Sequence, residues 1–442
     1  MHIQLSDHFT YGKLLRFTLP SISMMIFTSI YSVVDGFFVS NFVGKTPFAA
    51  VNLIWPFLML MGAFGFMFGT GGSALIAKTM GAGRMDKARE LFSLLIAVSV
   101  GVGIAITTVG MLVLRPVAVL LGAEGELLEN CLVYGRILLA AVPAFMLQME
   151  FQSFFITAEK PQLGLRVTVL SGVINMVLDA LLVAVFPLGL VGAALATALS
   201  QTAGGIIPLI YFARPNDSLL RLTRFRWDGA ALWKTCTNGC SELMSNLSMS
   251  LVSMIYNLQL MRYAGEDGVA AYGVMMYISF VFTSAFIGYS IGSAPIVSYH
   301  YGAENKAELH SLLQKSLVII AIGSVAMVAA SELLARPVSA LFVGYDEALF
   351  ALTLRGFVLF SFSFLFSGLA IFGSGFFTAL NNGLVSAVIS FLRTLVFQTA
   401  AVFLLPLVWE IDGVWASVIV AELAAAVLAG AFLLKMRKKY GY

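Results

Sequence analysis

Two acids stand where apolar sequence should run unbroken. Asp35 lies in SISMMIFTSIYSVVDGFFVSNFV, residues 21–43, and Asp179 lies in INMVLDALLV, four residues after Asn175. That spacing puts Asn175 and Asp179 on one helix face, and Thr197 follows in LVGAALATALSQ. A carboxylate near the centre of a spanning helix costs about 2.5–3.5 kcal/mol on insertion scales, so something must compensate. At ~1.5 Å per residue, Asp35 comes out about 22 Å above Pro20 and Asp179 about 22 Å above the inner start of its helix. Thr197 comes out about 12 Å below the outer start of its own. All three fall in the outer half of a bilayer, and a shared polar pocket would satisfy them. Two carboxylates in a poorly solvated pocket cannot both ionise cheaply. An acid held this way can load and release a proton, as a relay requires. The same hard oxygens suit Na⁺ as well as H⁺, and the sequence leaves that choice open. The plainer alternative is a polar cluster that ties three helices together, which amides and hydroxyls could do without two acids.

The elements that must position these groups are read from composition. Of 442 residues, 60% are hydrophobic and 11% charged, with a mean hydropathy of +0.93; a soluble domain carries about 25% charged residues. Apolar runs of the ~20 residues needed to cross a bilayer predict twelve helices, over 14–41, 47–77, 91–114, 131–157, 164–185, 189–213, 235–262, 268–298, 312–333, 350–378, 384–406 and 413–435. The alternating segments of ~10 residues that mark a transmembrane barrel are not seen. The N-terminus lacks the pattern of a cleaved signal peptide. Cys131, Cys236 and Cys240 read as small packing residues, and His2, His8, His300 and His310 as terminal or loop residues. Nineteen Lys and Arg fall on the termini and even-numbered connections and six on odd-numbered ones, Arg393 lying within a span. The positive-inside rule then puts both termini in the cytoplasm of a multi-pass inner (plasma) membrane protein. The slight basic excess is a topology signal and implies no nucleic acid.

The chain repeats itself. FVGKTPFAA (42–50) resembles YAGEDGVAA (263–271), and LRPVAVLLG (114–122) resembles ARPVSALFV (335–343). FITA (155–158) meets FFTA (376–379), and LVGAALA (190–196) meets IDGVWAS (411–417), every pair 221 residues apart. Each half holds six helices, an even number, so the halves are parallel repeats about an axis along the membrane normal. The expected organisation is an N-terminal lobe over 1–213, a cytoplasmic linker over 214–234 and a C-terminal lobe over 235–442. Gly65-x-x-x-Gly69 and Gly288-x-x-x-Gly292 are expected to pack helices closely within their lobes.

These features together resemble the MATE (multidrug and toxic compound extrusion) family, in its bacterial branch, across essentially the whole chain. The match rests on Pro20 with Asp35, the Asn175/Asp179 pair, and Thr197 after GAALA. The resemblance implies an all-α membrane fold of two six-helix lobes related by a pseudo-twofold axis. It implies a cation-coupling pocket at Asp35, Asn175, Asp179 and Thr197, and a bend of the first helix at Pro20. Gln152 sits where some relatives carry a pocket Asn. The implied activity is secondary active efflux by alternating access: amphipathic, often cationic, organic compounds leave in exchange for H⁺ or Na⁺. No further cofactor or enzymatic activity is implied. One chain already holds both lobes, so a monomer is expected.

The remaining intramembrane charges divide. Arg393 and Glu422, at similar depths on consecutive helices, predict a buried structural ion pair. Glu150 lies at a different depth from Asp35 and reads either as a second anion facing the substrate cavity or as a structural group near Arg166. Met276, Tyr277 and Phe280 in YGVMMYISFVF are cavity-wall candidates, since Met and aromatic faces suit varied apolar cations. Rival readings are a lipid-linked sugar flippase of the same superfamily and a channel-like protein. A flippase would need bases to meet a pyrophosphate, and a channel would need no titratable pair. The ATP-binding pattern G-x-x-x-x-G-K-[ST] is missing.

Overall fold

The computed structural model describes residues 3–442. His2 and the side chains of Lys45 and Glu266 lie outside the described residues. Helix α1 is Tyr11–Phe38, α2 Lys45–Gly81, α3 Met85–Leu120, α4 Gly125–Thr157, α5 Pro161–Asp179 and α6 Gly189–Ala213. The stretch Gly229–Gly302 breaks at Gly265, whose φ of 62° and ψ of −150° are not helical. It is therefore two helices, α7 over 229–264 and α8 over Asp267–Gly302. Then come α9 (Lys306–Val343), α10 (Glu347–Ser361 and Phe364–Ala379, bent by 48°), α11 (Gly383–Leu404) and α12 (Pro406–Tyr440, interrupted at Glu410). Among the described residues ten helices are long and apolar enough to cross a membrane, and the bent pair makes an eleventh. The more polar α7 completes twelve.

Five helices begin ahead of the expected spans where a polar side chain caps the first turn. Thr10, Asp228, Asn305, Asp346 and Asn382 each accept a backbone N–H of the first turn that follows, satisfying donors that have no intrahelical partner. Side chains such as Leu112, Leu120, Leu341 and Leu434 are at least 75% exposed, an outer surface that suits lipid rather than water.

The two halves meet along a seam on the face that carries both termini. Its contacts come in pairs at the repeat offset. A Cβ on Gly81 would lie 1.9 Å from the Tyr299 carbonyl oxygen, and one on Gly302 would lie 1.9 Å from that of Lys78. Likewise Gly71 abuts Gly239, while Gly292 abuts Thr18 and Ser21. Gly65 and Gly69 press on the backbone of Met146 and Glu150 within their own half, as expected. Gly288 and Gly292 do not stay within theirs: they receive α1 from the other half at Thr18, Ser21 and Ile22. Sequence could show that these glycines permit close approach, but not which helix comes.

Residues 214–228 hold no helix and lie along α3. Thr223 N–H donates to Ser93 Oγ at 2.8 Å, Arg89 Nε donates to the Leu219 carbonyl at 3.1 Å, and Leu220 is fully buried. Helix α7 starts at Gly229, earlier than the expected lobe boundary, because Asp228 caps it.

Candidate functional site

Asp35 sits near the end of α1, half-buried, where four elements converge. Thr197, from α6, donates its hydroxyl to Asp35 Oδ1 at 3.4 Å. Asn175 and Asp179, from the last turns of α5, face the same carboxyl and are 1% and 0% exposed. The sequence reading missed a fifth member. Tyr134 of α4 is 1% exposed, and its hydroxyl faces Thr197 and both acids. A lone Tyr in an apolar helix gives no periodic signal, and only the packing of α4 against α6 brings it in.

The backbone widens around this cluster. The wide π turn Val39–Val43 continues α1 just past Asp35, and another, Ala180–Val185, follows Asp179 directly; such turns are frequent at functional sites. One helical turn outward from each polar group stands an apolar one. Val39, Val183 and Ala193, at 0%, 3% and 1% exposure, pack together as a lid. The pocket is therefore closed toward the face opposite the termini.

Its chemistry follows from what is unsatisfied. Neither oxygen of Asp179 has a hydrogen-bond donor, and Asn175 Oδ1 has none either. Two facing carboxyl groups with no donor between them can bond only through a shared proton or a cation, and leaving buried charge uncompensated is costly.

Other candidates fall elsewhere. Gln152 is two to three turns away from the acids along the α4–α5 interface. It lines a small void of ≈ 10 Å³ with Gln148, Phe155, Thr168 and Pro208. Glu150 is fully enclosed, not on an open wall, and Ser99 rather than Arg166 faces it. Arg393 Nε donates to Glu422 Oε2 at 2.9 Å, both side chains largely buried. Tyr277 stacks on Phe342 of α9 with ring centroids 6.5 Å apart, Phe280 is 45% exposed, and Met276 is partly buried. Pro20 lies inside an unbroken α1, buried beside the seam. His300 and His310 are helical, not in loops, at the ends of α8 and α9; His300 is buried. Neither is in the acid pocket.

The model of the MatE family matches residues 20–181 and again 243–404. The chain belongs to the MatE family. The double match reproduces the internal repeat, and a MatE protein is a transporter, not an enzyme. Among curated relatives, the multidrug export protein MepA of Staphylococcus aureus strain MRSA252 is 22% identical over 420 residues, covering 95% of this chain and 92% of that protein. MepA of Staphylococcus haemolyticus strain JCSC1435 is 26% identical over 313 residues, 71% of this chain and 69% of its own. A solved structure described as the outward-facing conformation of a multidrug resistance MATE family transporter superposes with a TM-score of 0.92. It is 23% identical and covers 98% of this chain and 97% of that one. At that identity the likeness speaks for the fold. Twelve helices in two six-helix halves is the MatE fold, and the chain is a multi-pass membrane protein.

Proposed function

We propose that this MatE protein exports amphipathic, often cationic, organic compounds across the plasma membrane, driven by H⁺ or Na⁺ entering from outside. The observation that carries this is the meeting of Asp35, Asn175, Asp179 and Thr197 in one pocket, where both oxygens of Asp179 lack a donor. A proton between the carboxyls, or a Na⁺ held by their oxygens with those of Asn175, Thr197 and Tyr134, supplies what is missing. Loading draws α1, α5 and α6 together, and release lets them part. Since α1 also forms the seam with α8, at Ser21 and Ile22 against Gly288 and at Thr18 against Gly292, a change at Asp35 is transmitted along one helix to contacts on both sides of Pro20, the proposed bend.

The same reading assigns lobes over 1–213 and 235–442, a linker over 214–234, cytoplasmic termini and a monomer. It leaves Gln152 outside the coupling pocket and makes Arg393–Glu422 a structural pair. Met276 and Phe280 remain cavity contacts, whereas the ring of Tyr277 is already taken by Phe342. A flippase is disfavoured because the intramembrane base, Arg393, is committed to Glu422.

The test is efflux of a fluorescent organic cation from vesicles under an imposed pH or Na⁺ gradient. Asp35→Asn and Asp179→Asn should each abolish gradient-driven export while folded protein stays in the membrane. Full activity in both would remove coupling from this pocket.

A further inference from the structure

Glu150 is a buried acid that the coupling pocket does not use. It lies on α4, seven residues before Thr157 ends the helix on the face carrying the termini. It is fully buried, and neither carboxyl oxygen has a hydrogen-bond partner. The group that faces it is the Ser99 hydroxyl of α3, itself fully buried and unpartnered. From α2 it meets the Gly69 backbone, 3.0 Å from its Cα to the position of an added Cβ. No charged side chain among the described residues acts on it.

An ionised carboxylate with no donor and no counter-charge cannot persist in such a place; the free-energy cost is many times that of a lost hydrogen bond. A neutral acid can. The Ser99 hydroxyl that faces it is the group placed to accept the proton of that neutral acid.

The position of this pair gives it a consequence. On one side of α2, Gly69 rests on Glu150. Two residues on, Gly71 rests on the Thr235 carbonyl and Gly239 of the opposite half, at the seam. One helix thus separates the acid from the line along which the halves part. Opening the seam moves α2 and admits water, and water is what an ionised Glu150 needs.

We infer that Glu150 with Ser99 forms a second proton site, distinct from the Asp35/Asp179 pocket, whose occupancy is tied to closure of the seam. The proton binds when the seam is shut and leaves when it opens, so acid on the terminal side holds the halves together. This goes beyond the acid-pocket reading and does not depend on which cation that pocket takes.

Spin labels at Gln162→Cys and Leu384→Cys, both exposed and at the starts of α5 and α11, span the two halves on the terminal face. With Cys131, Cys236 and Cys240 replaced, double electron–electron resonance on the full-length protein in lipid nanodiscs reads their separation. In the parent and in Asp179→Asn, the distance distribution should lengthen as pH rises from mildly acidic to mildly alkaline. In Glu150→Gln, which keeps shape and stays neutral, the response should be lost and the short distances should persist. If Glu150→Gln responds as the parent does, the second site is wrong. If instead the response vanishes in Asp179→Asn and survives in Glu150→Gln, the linkage belongs to the acid pocket, and this inference fails while the proposed function stands. Should Glu150→Gln not fold, Ser99→Ala decides: a displaced midpoint supports the site, and an unchanged one overturns it.

Discussion

At the scale of single residues, the acids of this protein differ by what surrounds them, not by type. Glu422 has Arg393, Asp35 and Asp179 have each other, and Glu150 has a hydroxyl. Each arrangement makes a separate expectation. Removing one partner of a buried ion pair typically costs about 3–5 kcal/mol, whereas replacing both by apolar groups is often neutral. Arg393→Met alone should therefore lower the melting temperature in detergent markedly, and Arg393→Met with Glu422→Leu should recover most of it. A double variant as unstable as the single would mean the pair does more than balance charge. In the acid pocket, Tyr134→Phe deletes one hydroxyl facing two acids. A hydrogen bond to a charged group is worth about 1.5–3 kcal/mol. The variant should fold normally yet need a cation concentration about tenfold or more higher for half-maximal export, and an unchanged requirement would take Tyr134 out of the site. Asp35, Asn175, Asp179 and Thr197 were legible because polar groups are conspicuous in apolar helices. Tyr134 was not, since an aromatic ring is ordinary there and its hydroxyl matters only once α4 is placed.

At the scale of elements, the helices are long, closely packed at glycine and locally widened at charge. The reciprocal contacts Gly81–Tyr299 and Gly302–Lys78 are made against backbone carbonyls, which cannot swing aside as a side chain can. Overpacking costs about 1–3 kcal/mol. Gly81→Ala or Gly302→Ala should thus shift the closed-to-open ratio of the seam by about 5–150-fold toward open. Interspin distances across the terminal face would report it, and an unshifted distribution in both would show that the seam has slack. The wide turns after Asp35 and Asp179 have a counterpart in α11, where Leu392–Phe397 carries Arg393. Apolar run length located the twelve spans, yet it showed none of these turns: a π segment adds a fraction of a turn without changing composition. Nor did it show the Asn305 cap that starts α9 ahead of its hydrophobic stretch.

At the scale of the molecule, two halves are joined covalently by one segment that is itself held down. Asp217 accepts from Lys160 at 2.9 Å, and Asp228 caps α7 while pairing with Lys87 at 3.0 Å. The Lys160 ammonium holds the Asp217 carboxyl below the usual range, and the Ala231 N–H does the same for Asp228, with help from Lys87. Carboxylates whose folded values are depressed contribute stability above their unfolded value, ~3.9 for Asp, and lose it as pH falls through the folded one. Asp217 is exposed and Asp228 partly so, which keeps each contribution small. Hydrogen exchange of residues 214–228 should therefore be steady across neutral and mildly acidic pH and rise only below about pH 4. Release of the segment near neutrality would contradict this. Any pH response near neutrality must then come from elsewhere, which is where Glu150 or the acid pocket enters.

The amino-acid sequence alone determined that this chain crosses a membrane twelve times, that it does so in two copies of one pattern, and that it carries two acids too deep to be accidental. Those are properties of period, offset and burial cost, and they survive any arrangement of the helices. Only the tertiary structure decided which helices touch. It brought Tyr134 to the acids, sent Gln152 to another void, closed Glu150 behind α2, and passed the second glycine pair across the seam. A side chain's partners depend on how its helix is rotated and tilted against neighbours far away in sequence, and no local pattern encodes that.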